Sequence, residues 1–96
     1  PPRLYMLSER YGLPYKSVQI NSSRGRWGSC SSHKKINLSY FLVLLPKHLI
    51  DYVLLHELCH TCEMNHGDRF WDLLNGLTDG KALELREELK KYKTEI

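Results

Sequence analysis

Five consecutive residues, His56-Glu57-Leu58-Cys59-His60, with His66 six positions further on, have the types and spacing that metal chemistry needs. On an α-helix, residues four apart lie about 40° apart around the axis, so His56 and His60 point the same way, one turn apart. Two imidazoles so placed can share one zinc ion, with Glu57 beside them to act on a water. A straight helix would carry His66 roughly 120° off that face. The spacing therefore predicts that the chain leaves the helix after His60 and turns back through Glu63-Met64-Asn65-His66-Gly67. Asn and Gly there tolerate the left-handed conformation of a helix stop. Three protein ligands and an open fourth position describe a catalytic zinc site. The plainer alternative is a buried helix carrying two incidental histidines. The third histidine, with a turn before it, weighs against that.

Neutral imidazoles leave zinc most of its charge, so a water on it can fall from a pKa of about 15.7 to about 7. At 1.36 kcal/mol per unit, this is worth on the order of 12 kcal/mol. Glu57 would take the proton as water attacks a carbonyl and pass it to the leaving amine. An oxyanion donor is also needed. Tyr40, Asn37, His33 and Arg69 are candidates, and spacing does not choose among them. Cys59-x-x-Cys62 has the spacing of a redox or zinc pair. Redox pairs use the positive N-terminal end of a helix, however, and these two sit at the negative end. They read as buried packing residues.

These residues need elements to position them. Pro2 to Tyr11 reads as a first helix, with Leu4, Leu7 and Tyr11 at helical spacing and Gly12 and Pro14 ending it. Ser17–Asn21 alternates as a strand with Val18 and Ile20 inward, and Ser22–Gly25 is a turn. Arg26–Cys30 reads as a second strand, in which Gly28 marks a bulge or a close backbone approach. Lys35–Tyr40 alternates with Ile36, Leu38 and Tyr40 on one face. Its open edge is expected beside the zinc, where an extended peptide could add as a further strand. Pro46 to about Cys62 is the motif helix, apolar on nearly every side and so buried. Phe70, Trp71 and Leu74 are read as the cover that packs the turn after it. Lys81–Tyr92 is a last helix, with Ala82, Leu85, Leu89 and Tyr92 inward and Glu87 placed to pair with Lys91. The expected architecture is α+β: a small antiparallel sheet packed on the buried motif helix, with flanking helices.

Composition bounds what surrounds the motif. Ninety-six residues make one domain, 1–96, and the start at Pro1 points to the C-terminal part of a longer protein. No apolar run of 18 residues and no signal peptide is visible, so no membrane contact is expected. Three cysteines fit a reducing cytoplasm better than secretion. The net charge of +3 hides an asymmetry: residues 1–50 carry eight Lys/Arg against Glu9 alone, residues 51–96 six against ten acids. The basic half is either a solvated face or a weak contact for a polyanion or nucleic acid. The oligomeric state is not legible.

With these residues in view, the chain resembles the YgjP-like metallopeptidase-domain family of zincins, which is similar to the SprT-like zinc proteases. The resemblance rests on Arg26-Trp27-Gly28-Ser29-Cys30, Ile36-Asn37-Leu38, Leu45-Pro46, Asp51 through His60, and Asn65-His66-Gly67-Asp68-Arg69-Phe70-Trp71. It implies that His56, His60 and His66 bind zinc, that Glu57 is the catalytic base, and that the Trp-Gly-Ser-Cys stretch is a strand beside the site. Glu63 stands where related metzincins turn the chain with glycine, so their methionine turn is not implied. The reading that follows is a zinc metallopeptidase acting on a peptide or protein. The alternatives are a zinc-dependent nucleotide phosphohydrolase or nucleic-acid-recruited protease, and a non-enzymatic domain in which zinc is a structural staple.

Overall fold

The computed structural model describes residues 2–22 and 26–92, and its organising element is the motif helix. The chain runs through α1 (Pro2–Tyr11), β1 (Ser17–Asn21), β2 (Gly28–Cys30), β3 (Lys35–Ser39) and a 3-10 turn (Tyr40–Leu44). It then forms α2 (Lys47–Cys59), α3 (Asp68–Leu77) and α4 (Ala82–Leu89). Leu49, Tyr52, Val53, Leu54, Leu55, Leu58 and Cys59 of α2 are all buried, on more than one side of the helix. A helix without a polar face must be covered all round. Here α1, α3, α4 and β2 pack against it. Each fully buried leucine contributes about 1.5–3 kcal/mol. A paired bond from the Arg3 guanidinium to both oxygens of Asp51, at 2.9 and 2.7 Å, ties α1 to α2.

The α+β class and the first helix follow the sequence reading, the motif helix ends at Cys59 and not near Cys62, and the sheet differs from that reading in several respects. Its strand order is β1-β3-β2, and it is mixed rather than wholly antiparallel. β1 runs parallel to β3 from Ser17 opposite Lys35 to Asn21 opposite Ser39. β2 is antiparallel to β3, with Gly28 opposite Leu38 and Cys30 opposite Ile36. The tight turn between β2 and β3 accounts for that pairing. Lys34 takes a left-handed φ of 62°, and the Ser31 hydroxyl accepts the backbone N–H of His33 and Lys35. Alternation fixes which side chains face the core but says nothing about which neighbour a strand takes. The predicted turn over Ser22–Gly25 lies at positions 23–25 outside the described residues.

Two expectations fall with this topology. β3 is the central strand, so Lys35–Tyr40 offers no open edge; the free edge nearest α2 belongs to β2. Ile36 and Leu38 are buried as expected, but Tyr40 begins the 3-10 turn and is 62% exposed, and Ile20 on edge strand β1 is exposed as well. In α4, Ala82 is buried and Leu85 and Leu89 half-buried against the core, while Tyr92 lies past the helix and exposed. Glu87 pairs with Lys90 at 2.9 Å, one residue short of the expected partner.

Candidate metal centre

The last turns of α2 carry His56 and Glu57, and His60 is the residue that caps the helix, its N–H bonded to the Glu57 and Leu58 carbonyls. The chain then leaves the axis through tight backbone bonds, Thr61 N–H to Leu58 O and Glu63 N–H to Cys59 O. The predicted exit after His60 is present, but its geometry differs. Neither Asn65 nor Gly67 takes a left-handed φ, and Gly67 is extended at the N-cap of α3. The helix stops by tightening its last carbonyl bonds instead of through a glycine.

This turn returns His66 to the other two imidazoles. The ring centroids of His56, His60 and His66 lie 5.0, 5.3 and 4.6 Å apart. One nitrogen from each falls within 4.8 Å of the others, and Nε2 of His60 lies 2.9 Å from Nε2 of His66. Tetrahedral zinc with Zn–N bonds of about 2.0–2.1 Å needs nitrogens about 3.3 Å apart, which this group meets with small adjustments. The Nδ1–H of His60 donates to the Glu63 carbonyl at 3.1 Å, so its Nε2 bears the lone pair facing the cluster. The His56 Nδ1–H donates to the Glu57 carboxylate at 3.3 Å. The Glu63 position, where a metzincin-type glycine is missing, therefore serves the site through its backbone.

One ring holds the three imidazoles together. Phe70 of α3 is wholly buried, stacks on His60 at 4.5 Å, and meets His56 and His66 edge-on at 5.0 and 4.8 Å. This bears out the expectation that Phe70, Trp71 and Leu74 cover the turn, with Trp71 6.3 Å from His66 and Leu74 buried. Burial, and secondly the neighbouring His56, hold both His60 and His66 below the ordinary imidazole range. They are therefore neutral near pH 7, the form that binds metal. The donor set, its tautomers and its protonation fit a divalent metal.

Glu57 is 5% exposed, and β2 comes close to it. A Cβ built on Gly28 would sit 3.2 Å from the Glu57 Cγ, 3.1 Å from the Asn37 carbonyl and 3.3 Å from Leu38. The close approach read from Gly28 is therefore real, and the strand pairing continues through it without a bulge. A cavity of about 350 Å³ opens beside His56, Glu57 and Gly28, with Tyr52, Trp27 and Arg86 on its walls. A second, of about 370 Å³, lies between His56, His66, Trp71 and Arg86.

The donors suggested by sequence are not at these cavities: Tyr40, Asn37, His33 and Arg69 line neither. Arg86 and Tyr52 stand there instead. Burial pushes the Tyr52 hydroxyl up to about 12, so it stays a donor. Nothing local marks Arg86, one of several charges on an amphipathic helix that begins more than twenty residues after the motif. Among the cysteines, Cys59 is buried and its thiol pushed by burial up to about 12, as an inert packing residue should be. Cys62 is exposed, contrary to the expectation of burial, because it lies beyond the helix end.

Comparison with known proteins adds to this geometry. A family model described as YgjP-like, metallopeptidase domain, matches residues 1–92. No curated protein matches the chain. Among solved structures, the chain resembles the crystal structure of the metallopeptidase zymogen of Pyrococcus abyssi abylysin, with a TM-score of 0.77 and 22% identity, over 94% of this chain and 91% of that one. At that identity the likeness establishes a shared fold.

Proposed function

The chain belongs to the YgjP-like metallopeptidase-domain family, and from that we propose that it is a zinc-dependent peptidase in which His56, His60 and His66 hold the metal and Glu57 handles the proton. The observation that carries this reading is the convergence of three imidazole nitrogens within 4.8 Å beside a buried carboxylate at the mouth of a cavity. Zinc is our choice among metals that suit imidazole ligands, which include copper, iron and nickel. When bound, such a metal supplies a Lewis acid that polarises the scissile carbonyl and makes water acidic enough to attack at neutral pH.

The chain's own residues do the rest. The Glu57 carboxylate accepts the proton of the attacking water and delivers it to the nitrogen of the departing amine. Its low exposure keeps bulk water from competing, and the His56 Nδ1–H fixes one of its oxygens. Tyr52, held protonated, is a hydrogen-bond donor on the cavity wall. The substrate backbone has a natural partner in β2. The Trp27 carbonyl accepts from Ser39 N–H, and Ser31 N–H donates to Lys35 O. The alternate residues Gly28 and Cys30 thus turn their backbone groups away from β3. An extended peptide added along that edge would lie beside Glu57.

One further observation favours a polyanion contact. Lys16, Lys34 and Lys35 gather at one end of the sheet, through the Lys16 N–H to Lys34 O bond and the pairing of Ser17 with Lys35. This is the surface on which a nucleic-acid-recruited form of the same peptidase would rest.

The test uses the chain as purified, without a histidine tag, with its metal content measured and casein and nucleoside triphosphates assayed side by side. About one zinc per chain and casein cleavage that falls by about 10²-fold or more in Glu57→Gln, with metal retained, are expected. A rate raised by DNA at low salt would favour the recruited form. Hydrolysis of nucleotides alone would replace the peptidase by a phosphohydrolase. Retained metal with neither activity would leave zinc as a structural staple.

A further inference from the structure

Two arginines from distant parts of the chain line the cavity beside Glu57: Arg26, just before β2, and Arg86, on α4. Among the described residues neither has a carboxylate partner. The contrast with other cations is plain. Arg3 is spent on Asp51, and Lys90, which also lines this cavity, on Glu87. Arg86 borders both cavities and so stands between them, next to His56, with its guanidinium carbon 5.9 Å from the centre of the Trp71 ring. Its charge is felt at both Tyr52 and His66, lowering the proton affinity of each. The walls between the two arginines are apolar and aromatic, from Trp27, Tyr52 and Val53.

We propose that this cavity is a carboxylate-binding subsite, in which Arg26 and Arg86 hold an acidic group of the substrate next to the bond to be cut. The proposal rests on the peptidase reading and deepens it to a substrate class: peptides with Asp or Glu beside the scissile bond, or with the chain's terminal carboxylate there. A volume of about 350 Å³ accommodates an acidic residue together with its neighbouring backbone. Guanidinium groups suit this task because their planar donors match a carboxylate in pairs. Among the described residues Glu57 is the one carboxylate on the cavity wall, and the unpaired Arg26 and Arg86 outnumber it. A neutral substrate would leave both guanidinium groups to water, whereas a carboxylate would engage them.

The test is direct binding to the full chain as purified with its metal, read from tryptophan fluorescence, since Trp27 is part of the wall. The probes are the acetylated amides of glutamate and glutamine, and acetyl-alanine with a free carboxylate. The glutamate probe is expected to bind roughly tenfold more tightly than the glutamine probe. That ratio should fall towards one in Arg26→Gln and in Arg86→Gln, survive in part in Arg86→Lys, and shrink with added salt. Metal content and circular dichroism should be unchanged in each variant. Equal or better binding of acetyl-alanine would assign the terminal carboxylate; weaker binding would assign the side chain. Equal affinity for glutamate and glutamine, or no binding of either, overturns the proposal. So does a preference that survives both arginine substitutions, since the carboxylate would then be held by the metal, and so does inorganic phosphate outcompeting both carboxylates. Failure here is separable from failure of the peptidase reading. A carboxylate preference without casein cleavage sinks only the activity, and casein cleavage without the preference sinks only the subsite.

Discussion

Imidazoles that are partly desolvated make the cluster sensitive to acid even before metal is considered. His60 and His66 hold protons less tightly in the folded chain than the ordinary value of 6.5, burial being the larger cause. As pH falls below about 6.5 the unfolded chain therefore takes up protons first, and stability drops until the folded pKa is passed. Above that window these residues cost nothing. The chelator-treated chain should accordingly melt at a constant temperature from pH 8 to 7 and at steadily lower temperatures from pH 6.5 to 5. A melting temperature that is flat or rises over the lower range would contradict the lowered proton affinity of these groups. The pairing of His56 with His60 and the turn towards His66 were legible because helical spacing is a local property. The Asn65 and Gly67 signal was misleading, because a helix can also stop by tightening its last carbonyl bonds.

The fit between β2 and α2 sets the position of Glu57. Gly28 leaves about 3.1–3.3 Å around the place its Cβ would occupy, and one neighbour is the rigid Asn37 carbonyl. Gly28→Ala must then displace either the strand or the Glu57 side chain. Overpacking of this kind costs about 1–3 kcal/mol. The expected result is a lower melting temperature together with a fall in casein turnover larger than any fall in metal content. Unchanged turnover at wild-type stability would show that the strand does not hold Glu57. Sequence gave away this contact through one glycine in a strand. It did not give the strand order, because Ser17–Asn21 and Lys35–Ser39 alternate alike and pairing depends on segments far apart in the chain. The edge strand was accordingly assigned to Lys35–Tyr40, when β2 occupies it.

A chain of this size has one core, and the three histidines lie where α2 and its exit turn meet Phe70 of α3. An ion held by His56, His60 and His66 would tie the exit turn back onto the end of α2 as a further link. At metal concentrations about 1,000 times Kd, that link adds about 4.1 kcal/mol. For a domain of this length each kcal/mol moves the melting temperature by about 4–8 °C. Chelation should thus lower it by about 16–33 °C, reversibly, with calorimetry as the readout. A shift under a few degrees would mean the histidines do not share an ion. The cleft that α4 completes is the least legible part of the molecule from sequence, because Arg86 gains its meaning only from where the whole chain brings α4. Among the described residues no helix is long and apolar enough to cross a membrane.

Phe70 touches all three imidazoles with a single ring. Its consequence is for how the protein can vary over time. A change at position 70 is felt by all three imidazoles at once, so it displaces them together and not one at a time. A substitution at position 70 is therefore tested by three rings together, whereas Arg26 and Arg86, exposed at the cleft, can change one by one. The histidine cluster is thereby constrained as a unit, while the charges at the mouth of the cleft are not.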